Sequence, residues 1–452
     1  MKKLLSIISA LTLLSACSLD IPYENQFSDP TAISSPQTAR ELLSSAYAAL
    51  PNPEFDLSIL ADDFAPTYWA AVNSSMQNQY NWQPQAIEDL SISYWNDHYA
   101  VIATLNALIE RAQKIEDSSA MRRILGEAMA LKAYCYFQLL RVYGAGPQDL
   151  EADAIVLKDE LAMANLPRSS ARSVLAEIDR LLSRALPLIE EEPSVSTDWM
   201  SADAALILRS QARLYAGEYG SAATDALAVI DRHGYEPFAA DAYRSFWQGD
   251  QSAERIFALN APSVAQSFYL SLVYDNAGGD YFTVSPSVAA SFAADDIRLA
   301  ASVFPMQTTS LGTQNCLGKY NAMRKNQREI LLINKTRLAD ALFAYCEASA
   351  LAGNNQQALT AINKYLEKRG AEPIDDSLTG DNLLSRILAE KQKEFLGEGV
   401  RFFDLKFYRN SVLKNKRMEP DDYRWLWPIP REEYLYNDLM TQNPSWTKTS
   451  FN

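Results

Sequence analysis

The thiol of Cys17 follows a short apolar run whose pattern predicts lipid attachment. Two lysines begin the chain, and the apolar run 4–14 is too short to span a membrane as a permanent helix. Small residues at Ser15 and Ala16 suit a signal peptidase, so 1–16 is predicted to be a signal peptide. The sulfur and the new amino terminus of Cys17 would then carry acyl chains, each buried methylene contributing about 0.8 kcal/mol. We therefore expect an exported protein that is held on a membrane.

Adjacent carboxylates are the next residues whose types could do chemistry. They occur at Asp62-Asp63, at Asp295-Asp296 and at 190–192, and a glycosidase uses two carboxylates. Catalytic carboxylates face each other across a sugar, however, so adjacency in sequence favours solvated pairs or helix caps. The chain has only two histidines and contains no HExxH, GxSxG or EF-hand motif. The sequence therefore predicts a protein that is not an enzyme and needs no cofactor.

Three further cysteines give no sign of a metal site. Cys135, Cys316 and Cys346 are widely spaced and lack a CxxC motif or accompanying histidines. Cys135 and Cys346 lie among apolar residues of predicted helices, as small buried hydrophobic residues do. Whether any two of the three form a disulfide stays open at this point.

Composition predicts a globular domain with an acidic surface. Hydrophobic residues make up 48% of the 452 residues, charged residues 21%, and the formal net charge is -15. Such a charge repels nucleic acid, so we expect no nucleic-acid partner. After the apolar run 4–14, the sequence contains no apolar run long enough to span a membrane.

Helical periodicity dominates the chain, which predicts a mainly all-α fold. Apolar residues recur at spacings of three and four, and 202–231 predicts two helices joined by a tight turn at Gly217 to Gly220. The other predicted helices are Pro36 to Ala49, Tyr94 to Gln113, Met121 to Tyr143, Ser169 to Ile189 and Leu383 to Lys406.

One helix pair occurs twice. Small residues at fixed offsets let two antiparallel helices approach closely, with a glycine ending the first helix, and this pattern is similar to the tetratricopeptide repeat. Because the copies are far apart, we expect them to be units of a larger helical array. The corresponding residues are Ala212, Gly217, Ala222 and Ala226 in the first copy and Ala348, Gly353, Ala358 and Ile362 in the second.

Several segments, taken in order, resemble those of the SusD/RagB family of outer-membrane nutrient-binding lipoproteins. The resemblance spans nearly the whole chain. Its motifs are Tyr94 to Tyr99 with Ile102 and Asn106, Gly126 to Gly144, Glu254 to Leu259, Asp296 to Arg298, Arg337 to Ala339 with Glu347 and Ala348, Glu390 to Leu405, and Pro428 to Pro444.

The resemblance implies a single domain with several parts. A lipidated tether, 17–35, would precede the domain at 36–452. Within it we expect a tetratricopeptide-like helical frame, irregular loop-rich excursions and a few short strands. The predicted parts are a helical frame at 36–233, a loop-rich ligand-binding excursion at 234–335, a second helical repeat region at 336–409 and a turn-rich C-terminal segment at 410–452.

The resemblance also implies a role in nutrient uptake. The protein would be lipid-anchored in the cell outer membrane, face the exterior, and deliver its ligand to a SusC-like TonB-dependent β-barrel transporter. Not every motif implies a ligand site. Glu398, Arg401 and Asp404 are three residues apart at each step, which predicts charge pairing on one helical face, and Trp95 with Tyr99 predicts a core stripe.

Two segments combine aromatic rings with amide or acidic groups, as oligosaccharide sites do. Sugar C–H faces pack on flat rings while polar side chains bind the hydroxyls. The segments are Pro66 to Pro84 and Phe268 to Phe282, which correspond to loop regions of the family's fold. The candidate ligand-binding residues are Trp69, Tyr80, Trp82, Tyr274, Asn276 and Tyr281.

Three alternatives remain from the sequence. An oligopeptide is the second candidate cargo, because extended peptides bind through backbone hydrogen bonds. A helical glycoside hydrolase or lyase would use the paired carboxylates. A structural scaffold would use the repeats to dock proteins.

Overall fold

The computed structural model of the chain is mainly α-helical, which confirms the predicted fold class. None of its described helices combines the length and apolar composition needed to cross a membrane. The predicted signal peptide and Cys17 lie outside the described residues. These are 33–112, 115, 117–159, 165–191, 196–260, 281–308, 311–319, 332–409, 412–413, 418–435 and 437–446.

Helices account for most of the described residues, and the strands are short. The helices are α1 Pro36–Ala48, α2 Glu54–Leu60, α3 Tyr68–Val72, α4 Ser74–Tyr80, α5 Pro84–Ala112, α6 Ser119–Tyr143, α7 Ala171–Glu190, α8 Ala202–Ala216, α9 Tyr219–His233, α10 Ala240–Gln248, α11 Pro286–Ala289, α12 Arg298–Ser302, α13 Leu338–Leu351, α14 Asn355–Arg369, α15 Gly380–Glu394, α16 Val400–Phe407 and α17 Arg431–Leu435. The strands are β1 Phe64–Pro66, β2 Asp153–Ile155, β3 Ser169–Ser170, β4 Arg255–Asn260, β5 Phe282–Val284, β6 Phe304–Thr308, β7 Gly312–Cys316 and β8 Leu332–Arg337.

The strands form antiparallel pairs, β1 with β5, β2 with β3, β4 with β8 and β6 with β7. Most predicted helices are confirmed to within a few residues, but α5 begins ten positions before the predicted Tyr94. Ser91 interrupts the apolar spacing in this extension, because it is a polar residue at a buried position of the helix. Its hydroxyl donates to the carbonyl of Pro428 at 2.5 Å, which satisfies it inside the core.

The predicted single helix Leu383 to Lys406 is wrong, because the chain forms α15 and α16 with a break between them. Gly397 and Gly399 adopt left-handed backbone angles, with φ of 77° and 76°. Residues with a Cβ rarely adopt this conformation, so the two glycines end one helix and start the next. A Cβ on Gly397 would also lie 2.5 Å from Cδ2 of Leu317.

The two repeat units form the predicted helix pairs, α8 with α9 and α13 with α14. Gly217 and Gly353 follow the first helix of each pair with φ of 81° and 80°. The units are far apart in sequence but adjacent in space, because α9 packs against α13. The two units therefore form part of one helical array.

Side chains at equivalent positions form a hydrogen bond between the two helices of each repeat. The Ser210 hydroxyl donates to the carbonyl of Ala222 at 2.7 Å, and the Cys346 thiol donates to that of Ala358 at 3.8 Å. Cys346 is thus a buried counterpart of Ser210. Cys135 and Cys316 are buried as well, and all three thiols are free, so no disulfide forms among them.

Two hydrophobic cores support the fold. The main core runs through α1, α5 to α9 and α13 to α16 and continues into the C-terminal segment. Trp95 and Tyr99 belong to this packing, with ring centroids 4.6 Å apart, as the core-stripe prediction requires. A second core gathers around β1, β5 and α10 and includes Phe55, Phe64, Trp247, Phe282 and Leu396.

A buried ion cluster joins β4 and β8 to α14 and α15. Arg337 is its central residue. Nη1 of Arg337 lies 2.7 Å from Oε1 of Glu394, and Nε of Arg337 lies 2.9 Å from Oε2 of Glu398. Arg369 Nη2 lies 3.1 Å from Oε1 of Glu254. Each charge has several partners, which offsets the cost of removing it from water. We call these five residues the ion cluster.

The predicted pairing among Glu398, Arg401 and Asp404 is replaced by ion pairs to other elements. Glu398 binds Arg337 in the ion cluster, Nε of Arg401 donates to Asp62 at 2.7 Å, and Asp404 accepts from Lys391 at 2.7 Å. The left-handed turn places Glu398 before α16 and so takes it off the helical face. These signature residues hold elements together, which is a structural role.

Candidate functional site

The pairing of β1 with β5 brings the two predicted ligand-binding segments together. Pro66 is opposite Phe282 in the antiparallel register. Beyond the strand, the backbone N–H of Thr67 donates to the carbonyl of Tyr281 at 2.9 Å, and the Thr67 hydroxyl donates to the same oxygen at 3.2 Å. Backbone hydrogen bonds thus fix the position of one segment against the other.

The short helix α3 presents apolar side chains to solvent directly after this junction. The Thr67 hydroxyl also accepts from the N–H of Trp69 at 3.2 Å and caps the helix. Tyr68 is 62% exposed and Val72 57% exposed. The Tyr68 and Trp69 rings contact edge to face, with centroids 5.2 Å apart. An exposed ring beside an exposed aliphatic side chain is a flat surface on which a ligand could pack.

The second core supports this surface from below. Tyr80, at the end of α4, lies with its ring centroid 6.0 Å from that of Phe282 in β5. Tyr80 and Tyr281 are half-buried and pack on the second core, so each residue stays partly exposed. We call Tyr68, Trp69, Val72, Tyr80 and Tyr281 the aromatic patch.

Three of the six candidate residues belong to this patch, namely Trp69, Tyr80 and Tyr281. Tyr274 and Asn276 lie outside the described residues. Tyr68 and Val72 were missed as candidates, although Tyr68 precedes Trp69 directly. Their spacing could have identified them, because two large apolar side chains four residues apart share one face of a helix.

Trp82 requires a correction, because its ring belongs to the core. It is 1% exposed, stacks on Phe402 with centroids 5.7 Å apart, and donates from Nε1 to the carbonyl of Leu60 at 3.0 Å. Arg424 binds the Trp82 carbonyl at 2.9 Å. A ring buried in this way has no surface to offer a sugar.

Three of the adjacent carboxylates, Asp62, Asp63 and Asp296, are engaged in internal contacts. Asp62 forms the ion pair with Arg401, and Asp63 is fully buried, accepting from Nε2 of Gln392 at 3.1 Å. Burial and the charge of Asp62 raise the pKa of Asp63 to about 7. Asp296 is buried against Arg298, at 2.7 Å. The structure therefore places these carboxylates in supporting positions rather than facing each other across an open cleft.

Two partly open pockets lie between α6, α8, α13 and α16. They hold about 70 and 80 Å³, and both are lined by Arg141 and Asp340. His98 lines the first, and burial lowers its pKa to about 3, so it is neutral. Pockets of this size hold a few waters and are smaller than the roughly 150 Å³ that accommodates benzene. They are too small for a sugar ring.

The described residues offer no metal centre. No three His, Cys, Asp or Glu side chains in the described part of the chain come together in a way that could hold a metal ion. His233 Nε2 lies 2.8 Å from Asp203, which also binds Arg232, so the imidazole belongs to a half-buried hydrogen-bonded group.

Comparison with known families matches both halves of the chain to related models. Residues 19–215 match a SusD-like family described as starch-binding and associating with the outer membrane. Residues 318–419 match the SusD family. The second match contains Arg337, Glu394 and Glu398 of the ion cluster.

Individual proteins resemble the chain over most of its length. SusD-like protein P38 of Formosa agariphila is 25% identical and covers 97% of both chains. A SusD-like carbohydrate-binding protein of Bacteroides vulgatus has the same fold, with a TM-score of 0.79, 18% identity and coverage of 90% of this chain and 97% of that one. A laminarin-binding SusD-like protein aligns with a TM-score of 0.70, 17% identity and coverage of 91% and 100%. The sequence motifs, the helical fold and these matches agree, and the chain belongs to the SusD/RagB family.

Proposed function

We propose that this protein binds an oligosaccharide on the aromatic patch and delivers it to a SusC-like TonB-dependent transporter of the outer membrane. The observation that carries the proposal is the β1–β5 junction, which sets Tyr281 beside α3, where Tyr68 and Val72 are exposed. Exposed apolar side chains on a rigid support are typical of binding surfaces.

The chemistry of the patch suits a sugar. Tyr68 and Trp69 contact edge to face, so their rings lie at an angle and could follow the changing orientation of successive sugar units. Ser74, Ser75 and Asn78 are exposed on the neighbouring helix α4 and could bind hydroxyl groups. The sugar-binding descriptions of the SusD family model and of its relatives support the same ligand class.

Binding without catalysis is part of the proposal. The adjacent carboxylates engaged by Arg401 and Arg298 are held in ion pairs, which supports a structural role for them. Incubation of the purified protein with oligosaccharides should therefore leave the sugars intact. Turnover that one carboxylate substitution abolishes would replace the binding proposal with the hydrolase or lyase alternative.

The ligand class is tested with immobilised pools of glycans and of peptides. We expect saturable glycan binding that Tyr68→Ala weakens about tenfold, since tenfold corresponds to about 1.4 kcal/mol, within the range of aromatic contacts. Leu439→Ala, at a side chain that is 54% exposed on the C-terminal segment, is the matched control and should bind normally. Saturable peptide binding without glycan binding would favour an oligopeptide cargo.

The location and the partner need separate tests. Cys17 is proposed to carry the lipid, so metabolic labelling with palmitate should mark the protein and Cys17→Ser should abolish the label. Protease treatment of intact cells should cleave the protein if it faces the exterior. Affinity purification from solubilised membranes should recover a β-barrel transporter, and recovery of other proteins in its place would favour the scaffold alternative.

A further inference from the structure

The aromatic patch is assembled from two stretches of chain that contain no lysine or arginine. Positions 41–110 and 256–297 have neither Lys nor Arg, although the chain has 41 of them among its 452 residues. β1, α3 and α4 lie in the first stretch, and Tyr281 with β5 lies in the second. The β1–β5 pair therefore brings two stretches without cations to one surface.

The polar groups beside the patch are neutral. Positions 64–87 carry no charged side chain at all. Their exposed polar residues are hydroxyls and amides, including Ser74, Ser75, Gln77 and Asn78 on α4. Such groups donate and accept hydrogen bonds to sugar hydroxyls without providing a counter-charge.

Three cations that reach these stretches from other elements are paired with carboxylates. Arg401 forms its ion pair with Asp62, Lys335 with Glu54, and Lys393 with Glu390 at 2.9 Å. These three basic groups are thus neutralised by carboxylates. The basic residues at 320–331 lie outside the described residues.

We propose that the ligand of the aromatic patch is an oligosaccharide that carries no carboxylate or sulfate groups. This inference rests on the proposed function and narrows it. An anionic glycan would need basic side chains to offset its desolvation, and it would meet a chain with a net charge of -15. The described residues of the patch include no cation, so an anionic glycan would find no counter-charge on them.

The test compares neutral and acidic oligosaccharides on the full folded protein by titration calorimetry, at low and at physiological ionic strength. Maltoheptaose and laminarihexaose serve as neutral probes, and oligogalacturonate and heparin fragments as acidic ones. We expect binding of a neutral probe that Tyr68→Ala weakens about tenfold and Leu439→Ala leaves unchanged. Neutral binding is expected to depend little on salt, because no charges pair.

Different results would contradict the proposed function and the inference of a neutral ligand. Saturable binding of an acidic probe that Tyr68→Ala weakens would overturn the inference of a neutral ligand and leave the proposed function standing. Glycan binding that is insensitive to Tyr68→Ala would place the ligand elsewhere and overturn both.

Discussion

Arg337 and Glu394 form an ion pair inside the protein, with 2.7 Å between Nη1 and Oε1 and both side chains buried. The pair joins the start of α13 to the end of α15. Burial alone would raise the pKa of Glu394, but Arg369 and Arg337 hold it well below its usual range. The carboxylate therefore stays ionised across the physiological pH range.

Removal of Arg337 should destabilise the whole domain. Arg337→Met leaves Glu254, Glu394 and Glu398 with fewer counter-charges in the core, and breaking a buried ion pair costs about 3–5 kcal/mol. Urea denaturation followed by circular dichroism measures the change. Arg172→Met is the control, because the Arg172–Glu151 pair is exposed and should contribute less than about 1 kcal/mol. Equal losses in the two variants would contradict the structural role of the ion cluster.

Substitution of Trp82 should mainly lower stability, whereas substitution of Tyr68 should mainly weaken ligand binding. Trp82→Ala removes a ring from the core and should lower the free energy of unfolding by about 3–5 kcal/mol. Tyr68→Ala changes an exposed side chain and should alter that free energy by about 0.5 kcal/mol or less, while weakening ligand binding. Thermal unfolding and glycan titration on both variants separate the two effects. A stable Trp82→Ala variant that has lost binding would restore Trp82 as a ligand contact.

Asp63 should make stability depend on pH. Its pKa is about 7 in the folded state and about 3.9 in the unfolded chain, so between these values only the folded state holds the proton. The resulting stabilisation is complete below about pH 4 and is lost as pH rises through 7. Asp63→Asn removes this dependence. The free energy of unfolding of the variant, relative to that of the natural protein, should therefore rise by about 2.6 kcal/mol between pH 5 and pH 8.

Urea denaturation at those two pH values measures the Asp63 effect. Asp198→Asn, at an exposed carboxylate, is the control and should unfold in parallel with the natural protein. The amide that Asp63→Asn introduces keeps an acceptor oxygen for Gln392, so the change isolates the proton. Parallel pH profiles for Asp63→Asn and the natural protein would show that Asp63 titrates normally.

Gly370 should tolerate substitution less well than Gly353. Both have positive φ, of 64° and 80°, so alanine is strained at either position by about 1 kcal/mol. At Gly370 the new Cβ would also lie 2.7 Å from the carbonyl oxygen of Asp295, whereas at Gly353 nothing lies within 4 Å. We expect Gly370→Ala to cost about 1–3 kcal/mol more than Gly353→Ala in thermal unfolding. Equal costs would mean that the loop before α12 moves freely.

The helical frame could be predicted from the sequence because it depends on local sequence patterns. Apolar spacing and the glycine turns at Gly217 and Gly353 predicted both repeat units, and the signature motifs identified the family. The break at Gly397 was missed because helical periodicity continues across it. A residue such as Ser91 was misleading because its partner, the Pro428 carbonyl, is far away in the chain.

Aromatic composition selects candidate segments, but it does not show which of their rings are exposed. Aromatic composition selected Pro66 to Pro84, but it could not separate Tyr68, which is exposed, from Trp82, which is packed against Phe402. That difference depends on contacts between distant parts of the chain. Tertiary packing decides which ring of an aromatic segment stays at the surface.

The β1–β5 junction also makes the aromatic patch depend on synthesis of the chain through β5. Its strands are separated by nearly half of the chain, so a nascent or truncated polypeptide that ends before Phe282 lacks one side of the patch. Proteolytic nicking that releases β5 should abolish ligand capture even if the early helices persist. On the proposed function, the binding surface is complete only after the polypeptide has been made through β5 and this strand has paired with β1.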